Sequence, residues 1–321
     1  MNFQSIPPVE KPQAFLDTAF NTAAQHTQQL RSKKFKDRAI KARRLEILRV
    51  ETATKLLSRQ LLRVLRDFPS FEQLPPFYKE LSRVTLDVPE VRRALAGLKW
   101  ANENVQRLSR ASLSKMRKSR DSRNLRISRT EIYGRCSSII KQIGKQLSLL
   151  EETRKIMKGF PTIKTETKTI AIVGFPNVGK TTLMFNLTGS KPEISSYPFT
   201  TKTINVAYLQ TPKGKIQFLD TPGTLNRFDK MNSIEKQAYL AMKLVADLLV
   251  CVIDLTEPYP LEKQLKLYES LEQIGKPVIL FLSKEDIIDK KTIDEFKKDH
   301  ESVSGVSELL TLVKDSLSSS P

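Results

Sequence analysis

The pattern of apolar positions divides the chain into two halves of different character. In residues 1–168, apolar side chains recur every three or four positions, as in Leu57, Leu61 and Val64, which is the spacing of one helix face. In residues 169–321, short unbroken apolar runs alternate with helical patterns, which is typical of buried parallel strands joined by helices. The pattern predicts an all-α helical bundle followed by an α/β domain with a mainly parallel sheet.

Proline-containing breaks delimit the helices predicted in the first half. We expect about four to six helices between Pro12 and Lys158, interrupted at residues 67–69, 74–76 and 88–89. The apolar stripes are most simply core positions, so we expect these helices to pack together as one bundle. A further stripe is formed by Ile139, Ile140, Ile143, Leu147 and Leu150.

Charge changes where the apolar pattern changes. Residues 1–168 carry a net charge of +20 and residues 169–321 a net charge of −1. We therefore place a basic N-terminal helical domain at residues 1–163 and a second domain at residues 164–321.

The positive charge is densest in residues 31–49 and 107–135. Two such stretches could frame one large polyanion, and RNA recognised by its shape and backbone is the best candidate because no base-reading motif is visible. A merely solvated face is one alternative, although it would normally mix both signs. A membrane surface is another, although the strong amphipathic and aromatic pattern it needs is missing.

A phosphate-binding loop begins the second half. Residues 174–181 read Gly-Phe-Pro-Asn-Val-Gly-Lys-Thr, between a strand-like run and a helical pattern. Glycines let backbone amides curl around phosphates, and the following helix N-terminus faces the anion. Lys180 would reach the β and γ phosphates, and the Thr181 hydroxyl would ligate Mg²⁺. The residues expected around the phosphates are Gly174, Pro176, Asn177, Val178, Gly179, Lys180, Thr181 and Thr182.

Three later positions complete the predicted magnesium site. Asp220 ends a strand-like run and would hold Mg²⁺ through water, while the amide of Gly223 would sense the γ phosphate. Thr201, which we favour over Thr200, would close over the metal in the triphosphate state. The predicted catalytic positions are Lys180, Thr201 and Gly223, and the predicted metal ligands are Thr181, Thr201 and Asp220.

The base is predicted from residues 283–286, which read Ser-Lys-Glu-Asp after another apolar run. Asp286 could accept two hydrogen bonds from the N1 and N2 hydrogens of guanine, a pair that adenine does not offer. Guanine-specific domains usually read Asn-Lys-x-Asp here, so Ser283 replaces an asparagine ahead of Lys284. We expect guanine selectivity with reduced affinity, and an adenine nucleotide is the alternative. The last guanine signature, normally a Ser-Ala loop over the base, cannot be recognised near residues 299–305.

The remaining composition restricts the setting. Cys136 and Cys251 stand in apolar surroundings and are predicted core residues of a protein in a reducing compartment. No run of about eighteen apolar residues and no signal peptide is found, so we expect a soluble, intracellular protein without a membrane partner.

These residues together resemble a known family. The phosphate loop, residues 197–202 and residues 220–223 are similar to Obg-related GTPases. Residues 67–69, 76–78, 133–135 and 160–162 are similar to the nucleolar GTP-binding protein 1 (Nog) family. The resemblance implies a P-loop GTPase domain behind a helical domain, GTP or GDP with Mg²⁺ as cofactors, and assembly of the large ribosomal subunit with the helical domain on ribosomal RNA.

Eukaryotic relatives carry a long C-terminal extension that this sequence does not show. The resemblance is therefore to a compact, archaeal-type member. We expect a monomer off the ribosome, cytoplasmic and associated with large-subunit precursor particles. The mechanism we predict is a docking switch in which GTP changes how RNA is held and hydrolysis releases the assembly. An RNA-binding structural placeholder with a bound, barely hydrolysed GTP is the alternative.

The hydrolysis step is the least determined by sequence. Positions 224 and 225 are Thr and Leu, where many GTPases place a water-orienting glutamine, so slow intrinsic turnover is expected. Asn177 resembles the asparagine by which some related GTPases bind potassium, and potassium stimulation is therefore a hypothesis.

Overall fold

Residues 3–31, 37–119, 121–189, 193–194, 205–212, 214–221, 233–256 and 259–318 are described in the computed structural model. They form two compact units, and each is treated by itself. No described helix is both long and apolar enough to cross a membrane.

The N-terminal half contains six α-helices within its described residues. They are α1 (Pro12–Arg31), α2 (Arg38–Asp67), α3 (Pro76–Thr85), α4 (Val88–Lys118), α5 (Ser122–Gln142) and α6 (Gly144–Lys158). The predicted breaks at residues 67–69, 74–76 and 88–89 are confirmed as the end of α2 and the starts of α3 and α4. The stripe read from residues 139–150 spans two helices, because the chain turns at Ile143.

The helical unit is a bundle in which α2 contacts α1, α4 and α5. Its core positions lie on one face of α2, where Leu57 and Leu61 are fully buried. Cys136 on α5 is also buried, and burial raises the pKa of its thiol to about 12, so it is a core residue as predicted.

Aspartate caps define where the long helices of the bundle begin. The Asp37 carboxylate accepts a hydrogen bond from the Ala39 amide at 2.7 Å ahead of α2. Asp87 accepts one from the Glu90 amide at 2.9 Å ahead of α4, whose first turn also contains Pro89. Each cap satisfies an amide that the helix itself leaves unpaired, which fixes the start of the helix.

The second unit is built on a six-stranded sheet. Its strands are β1 (Thr169–Val173), β2 (Glu193–Ile194), β3 (Asn205–Thr211), β4 (Gly214–Asp220), β5 (Leu248–Ile253) and β6 (Val278–Leu282), in the order β2-β3-β4-β1-β5-β6. β4, β1, β5 and β6 are parallel, whereas β3 runs antiparallel to β4 and to β2. The predicted mainly parallel sheet is therefore confirmed.

Helices complete the α/β unit around this sheet. They are α7 (Lys180–Thr188), α8 (Ser233–Leu244), α9 (Leu261–Glu272), α10 (Lys290–Asp299) and α11 (Val306–Ser318). β1 and β5 are buried along their whole length, which explains their unbroken apolar sequences. Cys251 lies within β5 as a core residue, and burial raises its pKa to about 12.

The prediction that all N-terminal helices form one bundle is wrong for α3. Residues 72–85 belong to the unit that holds the sheet, where α3 packs against α8. Residues from 157 onward belong to the same unit. The contact units therefore do not follow the sequence boundary, and the division at residues 163 and 164 stays a prediction about independent domains.

Tyr78 provides the physical reason for the position of α3. Its side chain is fully buried, and its hydroxyl lies 2.9 Å from the carbonyl oxygens of Pro161 and Ile163 while accepting from the Ile163 amide at 2.9 Å. The rings of Phe3 and Phe160 pack edge-on nearby, with the Phe3 and Tyr78 centroids 5.1 Å apart. The helix is thus held by an aromatic cluster and by hydrogen bonds between the Tyr78 hydroxyl and buried backbone groups.

Replacing Tyr78 by Phe tests this anchor. We expect Tyr78→Phe to lower the free energy of unfolding by about 1–3 kcal/mol, because the buried Ile163 amide keeps only the Pro161 carbonyl as an acceptor and the buried carbonyls lose the Tyr78 hydroxyl as a donor. The measurement is urea unfolding followed by circular dichroism. Tyr259→Phe is the matched control, since among the described residues the Tyr259 hydroxyl makes no hydrogen bond; equal losses in both variants would contradict this role of Tyr78.

Candidate nucleotide-binding site

The predicted site residues follow parallel strands that end at one edge of the sheet. β1 leads into the phosphate loop, β4 ends at Asp220, and β6 ends one residue before Ser283. β1 lies between β4 and β5, so the strand order runs away from β1 in both directions. Ligands of open α/β sheets bind at such a switch point.

The phosphate loop has backbone conformations that depend on its residue types. Gly174 has a φ of 158°, and a Cβ built on it would lie 2.6 Å from the Val252 carbonyl oxygen, so only glycine fits. Asn177 and Gly179 have φ values of 63° and 94°, in the left-handed region. Val178 between them is fully buried, which anchors the loop to the core. The loop is therefore shaped by its own sequence.

Lys180, Thr181 and Asp220 come together although they are distant in sequence. The Thr181 hydroxyl donates to the Asp220 carboxylate at 2.7 Å, and the Asn205 side-chain amide donates to the same oxygen at 3.1 Å. Lys180 Nζ donates to the Phe175 carbonyl at 2.8 Å inside the loop. Burial lowers the pKa of Lys180, and the Asp220 charge opposes that shift. A cation and hard oxygen donors thus stand at the start of α7.

This arrangement fits a nucleoside triphosphate with a divalent cation. The described residues contain no cluster of three or more His, Cys, Asp or Glu side chains that could hold a metal alone. Mg²⁺ usually takes only one or two protein ligands and completes its shell with water and phosphate oxygens. Thr181 and Asp220 offer that limited donor set, and α7 begins at the loop with its N-terminal amides available to phosphate.

The segment after β6 is held beside the phosphate loop. The Ser283 hydroxyl donates to the Ile253 carbonyl at 3.1 Å, and a Cβ built on Gly179 would lie 3.7 Å from the Ser283 Cβ. Lys284 has a φ of 59° and forms an ion pair with the buried Asp254 at 2.5 Å. Ser283 and Lys284 are therefore fixed by β5, whereas Asp286 is exposed, as a base contact requires.

Asp254 belongs to this site but was not predicted from the sequence. Burial by itself would raise the pKa of Asp254, but hydrogen bonds from Lys284 and Thr256 outweigh burial and lower it. Gln264 brackets its backbone, accepting from the Asp254 amide at 2.9 Å and donating to the Asp254 carbonyl at 2.8 Å. Its position directly after the apolar strand β5, which neighbours β1, is the sequence feature that could have indicated its role.

The structure places residues 303–305, where no guanine signature could be recognised from sequence, beside the end of β6. Val303 forms a parallel bridge with Phe281 of β6, and its carbonyl accepts from the Leu282 amide at 2.7 Å. Ser304 and Gly305 follow directly, at the same edge of the sheet as residues 283–286, and the Gly305 carbonyl begins the hydrogen bonding of α11. Their tertiary position, rather than their residue types, distinguishes them.

Two predicted catalytic positions, Thr201 and Gly223, lie outside the described residues. The same holds for Arg120 and for Lys33, Lys34 and Lys36 of the basic stretches.

Several arginines of the basic stretches hold the helical unit together. Arg129 of α5 contacts Glu46 of α2 at 2.6 Å, and Arg49 contacts the same carboxylate at 3.4 Å. Arg117 of α4 contacts Glu51 of α2 at 2.9 Å. These arginines are therefore partly neutralised within the unit. The bare charge count overstates what the 107–135 stretch offers to a partner.

Comparison with known proteins identifies the family. The family described as NOG1 N-terminal helical domain matches residues 3–164, about half of the chain. An uncharacterised protein of Methanocaldococcus jannaschii is 34% identical over 91% of this chain and 83% of its own length. The chain belongs to the nucleolar GTP-binding protein 1 family. The resemblance inferred from the sequence is confirmed.

The family membership also covers the second unit. The family described as 50S ribosome-binding GTPase matches residues 169–284, so this unit is a P-loop GTPase domain. The nucleolar GTP-binding protein 1 of Encephalitozoon cuniculi is 30% identical over 92% of this chain and 57% of its own length. The chain thus spans just over half of that relative. Among solved structures, the G domain of the T. maritima FeoB iron transporter is 29% identical over 47% of this chain and 99% of its own, with a TM-score of 0.39.

Gly174→Ala tests the close approach in the phosphate loop. The added methyl group would meet the Val252 carbonyl at 2.6 Å, so the loop must shift and we expect GTP affinity to fall at least about 100-fold. Fluorescent guanine nucleotide titration measures this. Gly134→Ala is the control, because Gly134 is at an exposed position of α5 and nothing lies within 4 Å of its added carbon. Unchanged affinity in Gly174→Ala would contradict the loop geometry.

Proposed function

We propose that the protein binds GTP and GDP with Mg²⁺ and slowly hydrolyses GTP. The observation that carries this proposal is the contact between Thr181 and Asp220 beside Lys180, at the switch point of the sheet. Lys180 would neutralise the β and γ phosphates, while Thr181 and Asp220 would hold the cation that offsets charge developing on them. Thr201 and Gly223 keep their proposed roles in closing over the metal and sensing the γ phosphate.

Guanine selectivity is part of the proposal. Asp286 would accept two hydrogen bonds from the base, the aliphatic part of Lys284 would line it, and backbone groups of Ser304 and Gly305 would close over it. Ser283 replaces the usual asparagine, so one hydrogen bond worth about 1 kcal/mol is missing. We expect this to weaken affinity more than selectivity.

Asp286→Asn tests the base assignment. An amide replaces one acceptor by a donor, so it should repel the N2 hydrogens of guanine and favour the carbonyl oxygen of xanthine. We expect GTP affinity to fall by at least about 100-fold and xanthosine triphosphate affinity to rise. Competition against a fluorescent nucleotide measures both changes.

Asp294→Asn is the matched control, because Asp294 is an exposed acid on α10. A fall in GTP affinity without any gain for xanthosine triphosphate would show that Asp286 supports the loop rather than reads the base. Stronger binding of ATP than of GTP to the unchanged protein would sink the guanine assignment altogether.

We further infer that the GTPase acts in large ribosomal subunit assembly and docks on ribosomal RNA through its basic helical unit. The names of the two matching families, the eukaryotic relatives called nucleolar GTP-binding proteins and the net charge of +20 in residues 1–168 support this. We place the protein in the cytoplasm with large-subunit precursor particles, as a monomer when it is off them.

Chain connectivity supports a coupling between nucleotide and RNA. α3 packs against α8 within the GTPase unit, yet in sequence it lies between α2 and α4 of the helical unit. α8 also follows the segment after Asp220 that would respond to the γ phosphate. A change in α8 would therefore act on α3 and on the segments that connect α3 to α2 and to α4. This is a proposed route, and potassium near Asn177 remains a proposed stimulant of hydrolysis.

Association with large-subunit precursor particles tests the switch. We expect binding at least about tenfold tighter with a non-hydrolysable GTP analogue than with GDP, and GTP turnover that rises when particles are added. Co-sedimentation and phosphate release measure these two quantities. Lys180→Ala is the control that should remove the nucleotide dependence.

A second candidate function rests on Thr224 and Leu225, which stand where many GTPases place a water-orienting glutamine. In that case the protein would be an RNA-binding placeholder with GTP as a structural ligand. Equal association with GDP and with the analogue, together with no particle-stimulated turnover, would favour the placeholder over the switch.

A further inference from the structure

A basic groove runs along the exposed face of α2 and crosses to α4 in the described helical unit. Three adjoining hollows share lining residues, and the largest has a volume of about 1190 Å³. Six cations line them, Lys55, Arg59, Arg63, Arg66, Arg107 and Arg110, against two acids, Glu51 and Glu103. Four of these six lie on α2, outside both basic stretches singled out in the sequence.

The cations of α2 form one continuous row. Lys55, Arg59 and Arg63 are four residues apart and Arg66 follows after three, so all four lie on the same helix face over about 16 Å. All are exposed, with Arg63 and Arg66 side chains 63% and 78% accessible. In the described part of the chain, Lys55 and Arg59 have no carboxylate partner, and Arg63 and Arg66 share Asp67 at 3.5 Å.

The floor of the groove is polar and already ordered. Ser58 donates to the Asn102 side-chain oxygen at 2.6 Å, and the Gln106 amide donates to Ser58 at 3.1 Å. One turn away, the hydroxyls of Thr54 and Ser109 are 2.8 Å apart. These bonds hold α2 and α4 at a fixed spacing, so the two walls of cations are presented without reorganisation when a ligand arrives.

We infer that the α2–α4 groove binds one phosphate backbone of double-stranded RNA. This inference rests on the proposed function and names the surface and the form of RNA. A regular row of cations on a rigid support matches a ladder of phosphates. Single strands are normally held by several aromatic platforms, whereas no aromatic side chain lines these hollows. Duplex RNA is read through its shape and backbone, which this surface can contact.

Arg59→Gln, Arg63→Gln and Arg110→Gln combined test the groove. The control combines Lys115→Gln, Arg123→Gln and Arg126→Gln, which remove the same charge from exposed positions in the 107–135 stretch. The probes are an RNA duplex of about 16 base pairs and a ribosomal RNA fragment from the large subunit. Binding is measured across salt concentrations, and fluorescent GTP titration checks that each variant remains folded and active in nucleotide binding.

We expect the groove variant to bind duplex RNA about 100-fold more weakly and to reduce the salt slope by about three, against less than about threefold weakening in the control. Equal weakening in both variants, or greater weakening in the control, would overturn the groove assignment. Tighter binding of a single strand than of the duplex, or binding to phosphatidylserine vesicles in place of RNA, would overturn duplex RNA as the occupant.

Trp100 provides a second measurement that needs no variant. It is the single tryptophan of the chain, is 46% exposed, and lies two helical turns before Arg107 on the same side of α4. Duplex RNA in the groove should change its fluorescence in step with binding; RNA bound without that change would contradict the assignment.

If the unchanged protein bound no RNA at all, the proposed docking function itself would fail, whereas normal RNA binding by the groove variant would remove only the groove.

Discussion

The parallel pairing of β1 with β4 is the constraint on which the candidate chemistry depends. It aligns Ile172 with Asp220, so that the strand feeding the phosphate loop and the strand ending in the acid finish at the same edge. Thr181 and Asp220 are 39 residues apart in sequence, yet their side chains meet at 2.7 Å. Together they offer two oxygen donors to one cation, and waters and phosphate oxygens would complete the Mg²⁺ shell.

The site is supported from the other side of the sheet centre by β5. Its last residues hold both neighbours, since Val252 contacts Gly174 and Ile253 accepts from Ser283. Asp254 then fixes Lys284 through a buried ion pair. The phosphate loop and the segment proposed to contact the base therefore share one rigid strand, which would keep their separation constant when a nucleotide binds.

The helical unit uses its positive charge in two ways. Some arginines, such as Arg129 and Arg117, pair with acids of α2 and hold helices together. Other cations, such as Lys55 and Arg59 on α2, are exposed and have no carboxylate partner in the described part of the chain. Concentrated like charge destabilises a compact unit, and its persistence on one ordered groove is understandable if a polyanion neutralises it when bound.

The sequence by itself determined the two-part fold, the phosphate loop and the position of Asp220 at a strand end, because these depend on local periodicity and on fixed residue types. Only the tertiary structure decided that α3 joins the GTPase unit, that Val303 pairs with β6, and that Lys55 and Arg59 line a groove. Each of those depends on which surfaces meet after folding. An amphipathic stripe shows that a helix face is buried but not which partner buries it, and spacing along a chain does not record which charges a neighbouring acid neutralises.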